Sequence, residues 1–146
     1  MKNITISAFV VFCFISFLPG CGTHEIKPVE IYPEDNCSQC RMAISSRLFA
    51  SEIITPDDEV KKFDDLACLE SFRKKNPAIK IKAIFVTDYD SRAWIPFEKS
   101  VIVKTGIDTP MGSGKIAVKD SVRAAAIVKE RPPAVDLSAR DCCSEQ

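Results

Sequence analysis

Three sulfur-bearing side chains lie within six residues of one another, at Cys37, Cys40 and Met42. Soft thiolate and thioether ligands select soft metal ions, above all Cu(I). A C-x-x-C pair alone is ambiguous, because zinc sites, redox enzymes and disulfides all use it. The thioether of Met42 has no role in thiol exchange and is a poor zinc ligand, so the spacing favours a Cu(I) site.

Composition limits the other possibilities. The 146 residues are enough for one domain or two very small ones. An apolar content of 46% and a charged content of 27% are ordinary for a folded globular protein. The formal net charge is zero and the basic residues are spread along the chain, which argues against nucleic-acid binding. Seven cysteines is a high number for this length, so export, metal binding or redox chemistry must account for some of them.

The N-terminal residues have the features of an export signal. Lys2 precedes an uncharged, mostly apolar run that is too short to span a bilayer but has the length of a signal-peptide core. The run ends at Leu18-Pro19-Gly20-Cys21, and a cysteine after a small residue resembles the bacterial lipoprotein signal. We therefore expect a lipoprotein signal peptide at 1–20 and acyl chains on Cys21 that anchor the mature protein to a membrane. The alternative is an ordinary cleaved signal, or an N-terminal membrane anchor, with Cys21 incidental.

The rest of the chain divides into a tether, a domain and a tail. Residues 21–33 contain two prolines and few large apolar groups, which predicts a tether in which the lone histidine, His24, is solvated. Residues 34–131 have the patterning of an α+β domain. Residues 132–146 are polar and are predicted to form a flexible tail.

Within the domain, the order strand, strand, capped helix occurs twice. The first half predicts a hairpin of strands at 48–54 and 60–63, a helix from Asp64 or Asp65 to about 75, and a strand at 79–86. The second half predicts an edge strand or connector, two strands and a helix capped by Asp120, at 94–97, 100–104, 115–118 and 120–131. The predicted apolar faces are Leu66, Leu69 and Phe72 on the first helix and Val122, Ala125, Ala126 and Ile127 on the second.

Two further sulfur side chains have more than one interpretation. Met111 lies in a loop with three glycines and a proline, at 106–114, and could complete a soft-donor site. Methionine more often fills a gap in a core, and spacing alone favours that role. Cys68 lies near the apolar stripe of the first helix, where a thiol usually acts as a small buried hydrophobe.

Four motifs, in this order, resemble the NosL family of copper-binding lipoproteins that assist the assembly of nitrous oxide reductase. They are Cys37-Ser38-Gln39-Cys40-Arg41-Met42, Phe63-Asp64-Asp65-Leu66-Ala67-Cys68, the Trp94 segment and Thr109-Pro110-Met111-Gly112-Ser113-Gly114. The resemblance covers nearly the whole mature chain. It implies an α+β fold of two small ββα(β) units, similar to the organomercurial lyase, which agrees with the repeated plan. The family motif typically has glycine where this chain has Arg41, so that side chain could tune the thiolates or contact a partner.

The resemblance also implies a function, which is copper delivery without catalysis. We expect Cys37 or Cys40 and Met42 to be the primary Cu(I) ligands, with Met111 as a secondary ligand. Asp35 would support the ligands through hydrogen bonds, and Cys68 could be a supporting or third sulfur. The protein would be a membrane-anchored lipoprotein facing the periplasm, on the inner or the outer membrane. A periplasmic copper reductase, expected to be nitrous oxide reductase, would receive the copper, and a membrane copper exporter is a candidate donor.

Two other functions stay open at this point. A thiol–disulfide oxidoreductase could use Cys37 and Cys40, and the export signal and Thr109-Pro110 fit that class. Such enzymes place the C-x-x-C pair at the start of a long helix, whereas here the chain continues into a strand-like segment. A structural zinc or disulfide module is the second alternative, but zinc needs four ligands and no second C-x-x-C or histidine pair is available. The adjacent Cys142 and Cys143 in the tail cannot readily pair with each other, and their role is open.

Overall fold

The computed structural model describes residues 25–134 of the chain. The predicted signal peptide, Cys21, His24 and the tail from residue 135 onward lie outside these residues. Six strands and two helices follow in chain order: β1 (Ser51–Ile54), β2 (Val60–Phe63), α1 (Leu66–Lys75), β3 (Ala83–Thr87), β4 (Trp94–Pro96), β5 (Val101–Lys104), β6 (Lys115–Val118) and α2 (Ser121–Glu130). Among these described residues, no helix is long and apolar enough to cross a bilayer.

The strands form two antiparallel sheets, which confirms the predicted α+β class. The larger sheet has the order β2-β1-β3-β4, and the smaller one pairs β5 with β6. The hairpin of β1 and β2 is followed by α1, and the hairpin of β5 and β6 is followed by α2. The predicted plan of strand, strand, helix therefore occurs twice, while β4 joins the first sheet as the predicted edge strand.

Both helices begin where the sequence predicts. Asp65 caps α1 by accepting a hydrogen bond from the N–H of Ala67, and Asp120 caps α2 in the same way through the N–H of Val122. These carboxylates satisfy N–H groups that a helix start leaves without a partner. Asn76 ends α1, and three basic residues in its last turn stabilise the helix because their charges interact favourably with the negative end of its dipole.

Two strand predictions are too long. Arg47–Phe49 form a short 3-10 turn rather than the start of a strand, and Phe49 packs its ring against Tyr89. The predicted strand at 79–86 begins only at Ala83, because the N–H of Ile79 bonds back to the carbonyl of Asn76 in a turn. In both cases a local turn takes the backbone hydrogen bonds that a longer strand would need.

Two hydrophobic clusters hold the sheets and helices together. Leu66 and Leu69 of α1 are buried against the larger sheet and Phe72 packs beside them, which confirms the predicted face of this helix. The predicted face of α2 is wrong in part, since Val122 is 77% exposed and Ala125 is exposed as well. Ala124 and Ile127 are its buried residues, and they pack with β6 in the second cluster.

The segment before the domain lies against the larger sheet, on the face opposite α1. The N–H of Val29 donates to the carboxylate of Glu52, a fully buried residue of β1. Lys62 of β2 donates to the carbonyl of Glu30 at 2.8 Å. Residues 29 and 30, which the sequence assigns to the tether, are thus hydrogen-bonded to β1 and β2.

Candidate metal centre

Cys37 and Cys40 are held in a tight hairpin before β1. Asn36 and Ala43 form an antiparallel bridge, and the N–H of Cys37 donates to the carbonyl of Met42 at 2.8 Å. The N–H of Arg41 closes the turn by donating to the carbonyl of Cys37 at 2.9 Å. This backbone closure brings the side chains at both ends of the C-x-x-C pair to one side of the turn.

Cys68 joins this pair from the first turn of α1. The Sγ atoms of Cys37, Cys40 and Cys68 all lie within 4.8 Å of one another, an arrangement that could hold a metal ion. Cys37 and Cys68 are buried, Cys40 is half-buried, and all three are free thiols. The sequence allows Cys68 to be either a buried core residue or a third sulfur of the site. In the structure it is buried and its sulfur also lies beside those of Cys37 and Cys40.

The electrostatic environment differs sharply between two of the thiols. Burial opposes ionisation of Cys37, but N–H groups of Cys40, Asp64 and Gln39 donate to its sulfur, and the balance lowers the pKa of Cys37. Burial and the charge of Cys37 raise the pKa of Cys68. Without metal, the Cys37 thiol therefore loses its proton more readily than the Cys68 thiol beside it. A bound cation would remove that like-charge penalty, because it neutralises the neighbouring thiolate.

Two buried carboxylates next to Cys68 fix the elements around the cluster. The Asp64 carboxylate accepts from the N–H of Ser45 at 3.0 Å, which ties the strand of the hairpin that follows Met42 to the start of α1. Burial, together with the adjacent Asp65 carboxylate, raises the pKa of Asp64. The sequence showed these residues only as a helix cap, and the hydrogen bond of Asp64 with a residue 19 positions away had no sequence signal.

Asp65 connects the helix cap to the loop that carries Met111. Its Oδ1 accepts from the N–H of Ala67 and from the hydroxyl of Ser113, both at 2.7 Å. Its Oδ2 accepts from the N–H of Met111 at 3.2 Å. The loop is therefore fixed at the same end of α1 as Cys68.

Both methionines of the predicted site are at the surface. Met42 is 49% exposed and Met111 is 41% exposed. Met111 therefore does not fill a core gap, which was the role that spacing alone favoured. The carbonyl of Met42 accepts from the N–H of Cys37, and the N–H of Met111 donates to Asp65 at the start of α1, so both methionines lie in segments bonded to elements that carry the thiols.

Asp35 supports the hairpin from outside the thiol cluster. Its carboxylate pairs with Lys62 at 2.5 Å and accepts from the N–H of Tyr32 at 2.7 Å. Burial opposes its ionisation, but these two partners lower the pKa of Asp35. The N–H of Ser38 donates to the carbonyl of Lys62, so the same lysine residue ties the C-x-x-C turn to β2.

Comparisons with known proteins show the family and the fold of the chain. The NosL family model matches residues 28–132, well over half of the chain. Among solved structures, the chain is similar to the crystal structure of the copper chaperone NosL from Shewanella denitrificans, with a TM-score of 0.64 and 19% sequence identity. The similar region covers 74% of this chain and 90% of that one, and at this identity it shows a shared fold. No curated protein sequence gives a significant match. The match to the family model over most of the domain shows that the chain belongs to the NosL family.

Proposed function

We propose that this protein is a copper carrier that binds Cu(I) through a cluster of sulfur atoms. The observation that supports this most directly is the approach of three thiol sulfurs, from Cys37, Cys40 and Cys68, to within 4.8 Å of one another. An all-sulfur donor set suits Cu(I), which is soft and makes weak demands on geometry. The structurally similar NosL from Shewanella denitrificans is also described as a copper chaperone.

The exposure of the sulfurs suggests how copper enters and leaves. Cys37 and Cys68 are buried, Cys40 is half-buried, and Met42 and Met111 are exposed. A thioether binds Cu(I) without having to lose a proton, so the methionines can accept or release the ion by ligand exchange. In this mechanism the thiolates provide affinity, while Met42 and Met111 contact the copper during transfer.

Delivery and location complete the proposal. The lipoprotein signal predicted at 1–20 would place acyl chains on Cys21 and anchor the carrier to a membrane, facing the periplasm. The receiver would be a periplasmic copper reductase, with nitrous oxide reductase as the first candidate, and a membrane copper exporter would supply the ion. We also propose that the two ββα(β) units are similar to the organomercurial lyase fold.

Thiol–disulfide exchange is the second candidate function, and one observation favours it. The lowered pKa of Cys37, caused by backbone N–H groups that outweigh its burial, would make it a nucleophile beside two other thiols. The local structure favours copper instead, because Cys37 and Cys40 lie in a hairpin turn and not at the first turn of a helix. Exposed thioethers also have no role in such exchange.

An anaerobic competition titration with a chromogenic Cu(I) chelator tests the proposal. The wild type should hold one Cu(I), and replacement of Cys37, Cys40 or Cys68 by serine should weaken binding by at least about tenfold, which is about 1.4 kcal/mol. Met42→Leu and Met111→Leu should weaken it less. The double variant Cys142→Ser/Cys143→Ser is the matched control, since it removes two thiols of the tail. Fully reduced wild type that retains no Cu(I), but reduces insulin disulfides, would support thiol exchange instead.

A further inference from the structure

The hairpin of β1 and β2 has two ends with different surroundings. At one end, which we call the turn end, Ile54 pairs with Val60, and the turn at 55–59 joins the two strands. At the other, the metal end, Ser51 pairs with Phe63, and the chain continues towards α1. Strand residues rise by about 3.3 Å each, so the two ends of these four-residue strands lie about 10 Å apart.

The candidate copper site lies at the metal end. Cys68 belongs to the first turn of α1, which starts just after β2 ends. The N–H of Ser45, which follows the hairpin of Cys37 and Cys40, donates to Asp64 at 3.0 Å. Because the three Sγ atoms lie within 4.8 Å of one another, the whole thiol cluster is at this end.

The first described residues of the chain lie at the turn end instead. A cavity of about 270 Å³ is lined by these residues, by both strands of the hairpin and by the loop before β3; the lining residues are Glu25, Ile26, Lys27, Val29, Ile54, Asp58, Val60 and Lys82. The N–H of Lys82 donates to the carbonyl of Ile54 at 2.8 Å, and its Nζ pairs with Asp58 at 2.5 Å. These contacts place the N-terminal segment and the loop before β3 together at the turn end.

The rim of this cavity combines apolar and basic side chains. Val29 is 39% exposed and Ile26 is half-buried, while Lys27 and Lys82 are exposed. Lysine can lay its methylene stem along an apolar surface while its ammonium group stays in a polar layer. Such a rim fits the boundary between lipid headgroups and water. The N–H of Val29 donates to Glu52 at 2.9 Å, which holds the segment against the sheet.

The length of the chain before this segment indicates what the turn end meets. Cys21, where the acyl chains are predicted, precedes Glu25 by four residues. Four residues span at most about 14 Å even when fully extended. Acyl chains on Cys21 would therefore keep Glu25, and the turn end with it, within about 14 Å of the bilayer surface.

We propose that the turn end rests on the membrane that holds the acyl chains of Cys21, and that the thiol cluster faces away from the bilayer. The inference rests on the lipid anchor of the proposed function and adds the orientation of the carrier. Copper would then enter and leave the protein on the side away from the bilayer. A donor or a receiver would have to reach the thiols from the periplasm, above the membrane surface.

Quenching of tryptophan fluorescence by brominated lipid tests this orientation. Trp94 is the only tryptophan of the chain. It lies at the metal end, because it pairs with Thr87 of β3, whose N–H donates to the carbonyl of Ala50 just before β1. The full lipidated chain is reconstituted into phosphatidylcholine vesicles with or without bromine on the acyl chains near the headgroup. Bromine quenches only nearby tryptophans, so Trp94 of the wild type should keep its emission.

A second tryptophan then reports on each end separately. Asp57→Trp adds one to the exposed turn, where bromine should quench about half of the added emission or more, since interfacial side chains lie about 5–10 Å deep. Ala43→Trp adds one to the exposed part of the metal-site hairpin, and this matched control should be quenched no more than Trp94. Glu59→Trp is the second probe of the turn end if loss of the bond between Thr55 and Asp57 prevents folding.

The outcomes separate this proposal from the proposed function. Equal quenching at the two ends, stronger quenching of Ala43→Trp or of Trp94, or no quenching of the turn-end probes in protein that floats with the vesicles would overturn the orientation. None of these results would affect the copper site. Wild-type protein that does not float with the vesicles would overturn the lipid anchor and the orientation together, while the competition titration would still decide whether the protein binds Cu(I).

Discussion

Replacing Glu52 by glutamine should make folding stability less dependent on pH. Glu52 has no exposed area, one carboxylate oxygen accepts the N–H of Val29 at 2.9 Å, and the other has no partner among the described residues. Burial raises the pKa of Glu52 from its ordinary 4.5 to about 7, although Val29 and the charge of Lys62 act in the opposite direction and Glu30 adds to the increase. Glutamine has the same shape and keeps the acceptor for Val29 without a charge.

The sign and the size of the effect follow from the two pKa values. Between pH 4.5 and 7 the folded state keeps the proton on Glu52 while the unfolded chain has lost it, so stability falls as the pH rises. A difference of about 2.5 pKa units corresponds to about 3 kcal/mol over the full range, of which about 2.5 kcal/mol falls between pH 5 and pH 8. The wild type should therefore lose about 2.5 kcal/mol more stability than Glu52→Gln over this interval, and the variant should be the more stable protein at pH 8.

Urea denaturation followed by circular dichroism at pH 5 and pH 8 measures this difference directly. Glu98→Gln is the control, because Glu98 is an exposed carboxylate on a short turn after β4 and should leave the pH dependence of the wild type unchanged. Equal pH dependence in the wild type and in Glu52→Gln would show that Glu52 ionises in the folded protein as it does in water. That result would refute the claim that Val29 donates its N–H to a buried Glu52 carboxyl group that stays protonated up to about pH 7.

Two further predictions concern the elements that position the metal site. Asp65→Ala should destabilise the protein by about 1 kcal/mol through the lost helix cap and by about 1 kcal/mol more through the lost hydrogen bonds to Met111 and Ser113, and it should weaken Cu(I) binding. Asp120→Ala removes a cap of the same kind on α2, so it should lose only the first ~1 kcal/mol and keep its Cu(I) affinity. Denaturation measures the stabilities, and chelator competition measures the Cu(I) affinities. Cu(I) affinity lost equally in both variants would contradict this role of Asp65. Gly114→Ala should destabilise the protein by about 3 kcal/mol or more, because its φ is +64° and a Cβ would collide with the carbonyl oxygen of Thr105. Gly112→Ala shares the positive φ but meets no atom within 4 Å, so thermal denaturation should show a loss of only about 1 kcal/mol, and equal losses would show that the collision does not matter.

The elements that local chemistry specifies could be predicted from the sequence. Asp65 and Asp120 mark the helix starts, and Asn76-Pro77 ends α1, because capping and proline act within a few residues. The start of β1 could not be predicted. Leu48 and Phe49 have strand character, but they form a 3-10 turn in which Phe49 contacts Tyr89, a residue distant in the chain. Likewise, the spacing of apolar residues in α2 could not reveal that Ala124 faces the core while the larger Val122 faces solvent.

The candidate site divides along the same line. Cys37, Cys40 and Met42 could be recognised as candidate ligands because residues close in the chain are close in space. Cys68 lies 31 residues from Cys37 and reaches the cluster only because α1 packs beside the hairpin. No spacing rule predicts such a contact, and helix position alone favoured a role for Cys68 as an ordinary core residue.

The central proposal is an all-sulfur Cu(I) site, and copper K-edge X-ray absorption spectroscopy of the loaded protein tests it most directly. The scattering should come from sulfur neighbours only, with the edge position of Cu(I), and Cys68→Ser should lower the number of sulfur neighbours or introduce an oxygen. A first shell made mainly of nitrogen or oxygen, or a spectrum unchanged by substitution of each of the three clustered cysteines, would contradict the proposed copper site.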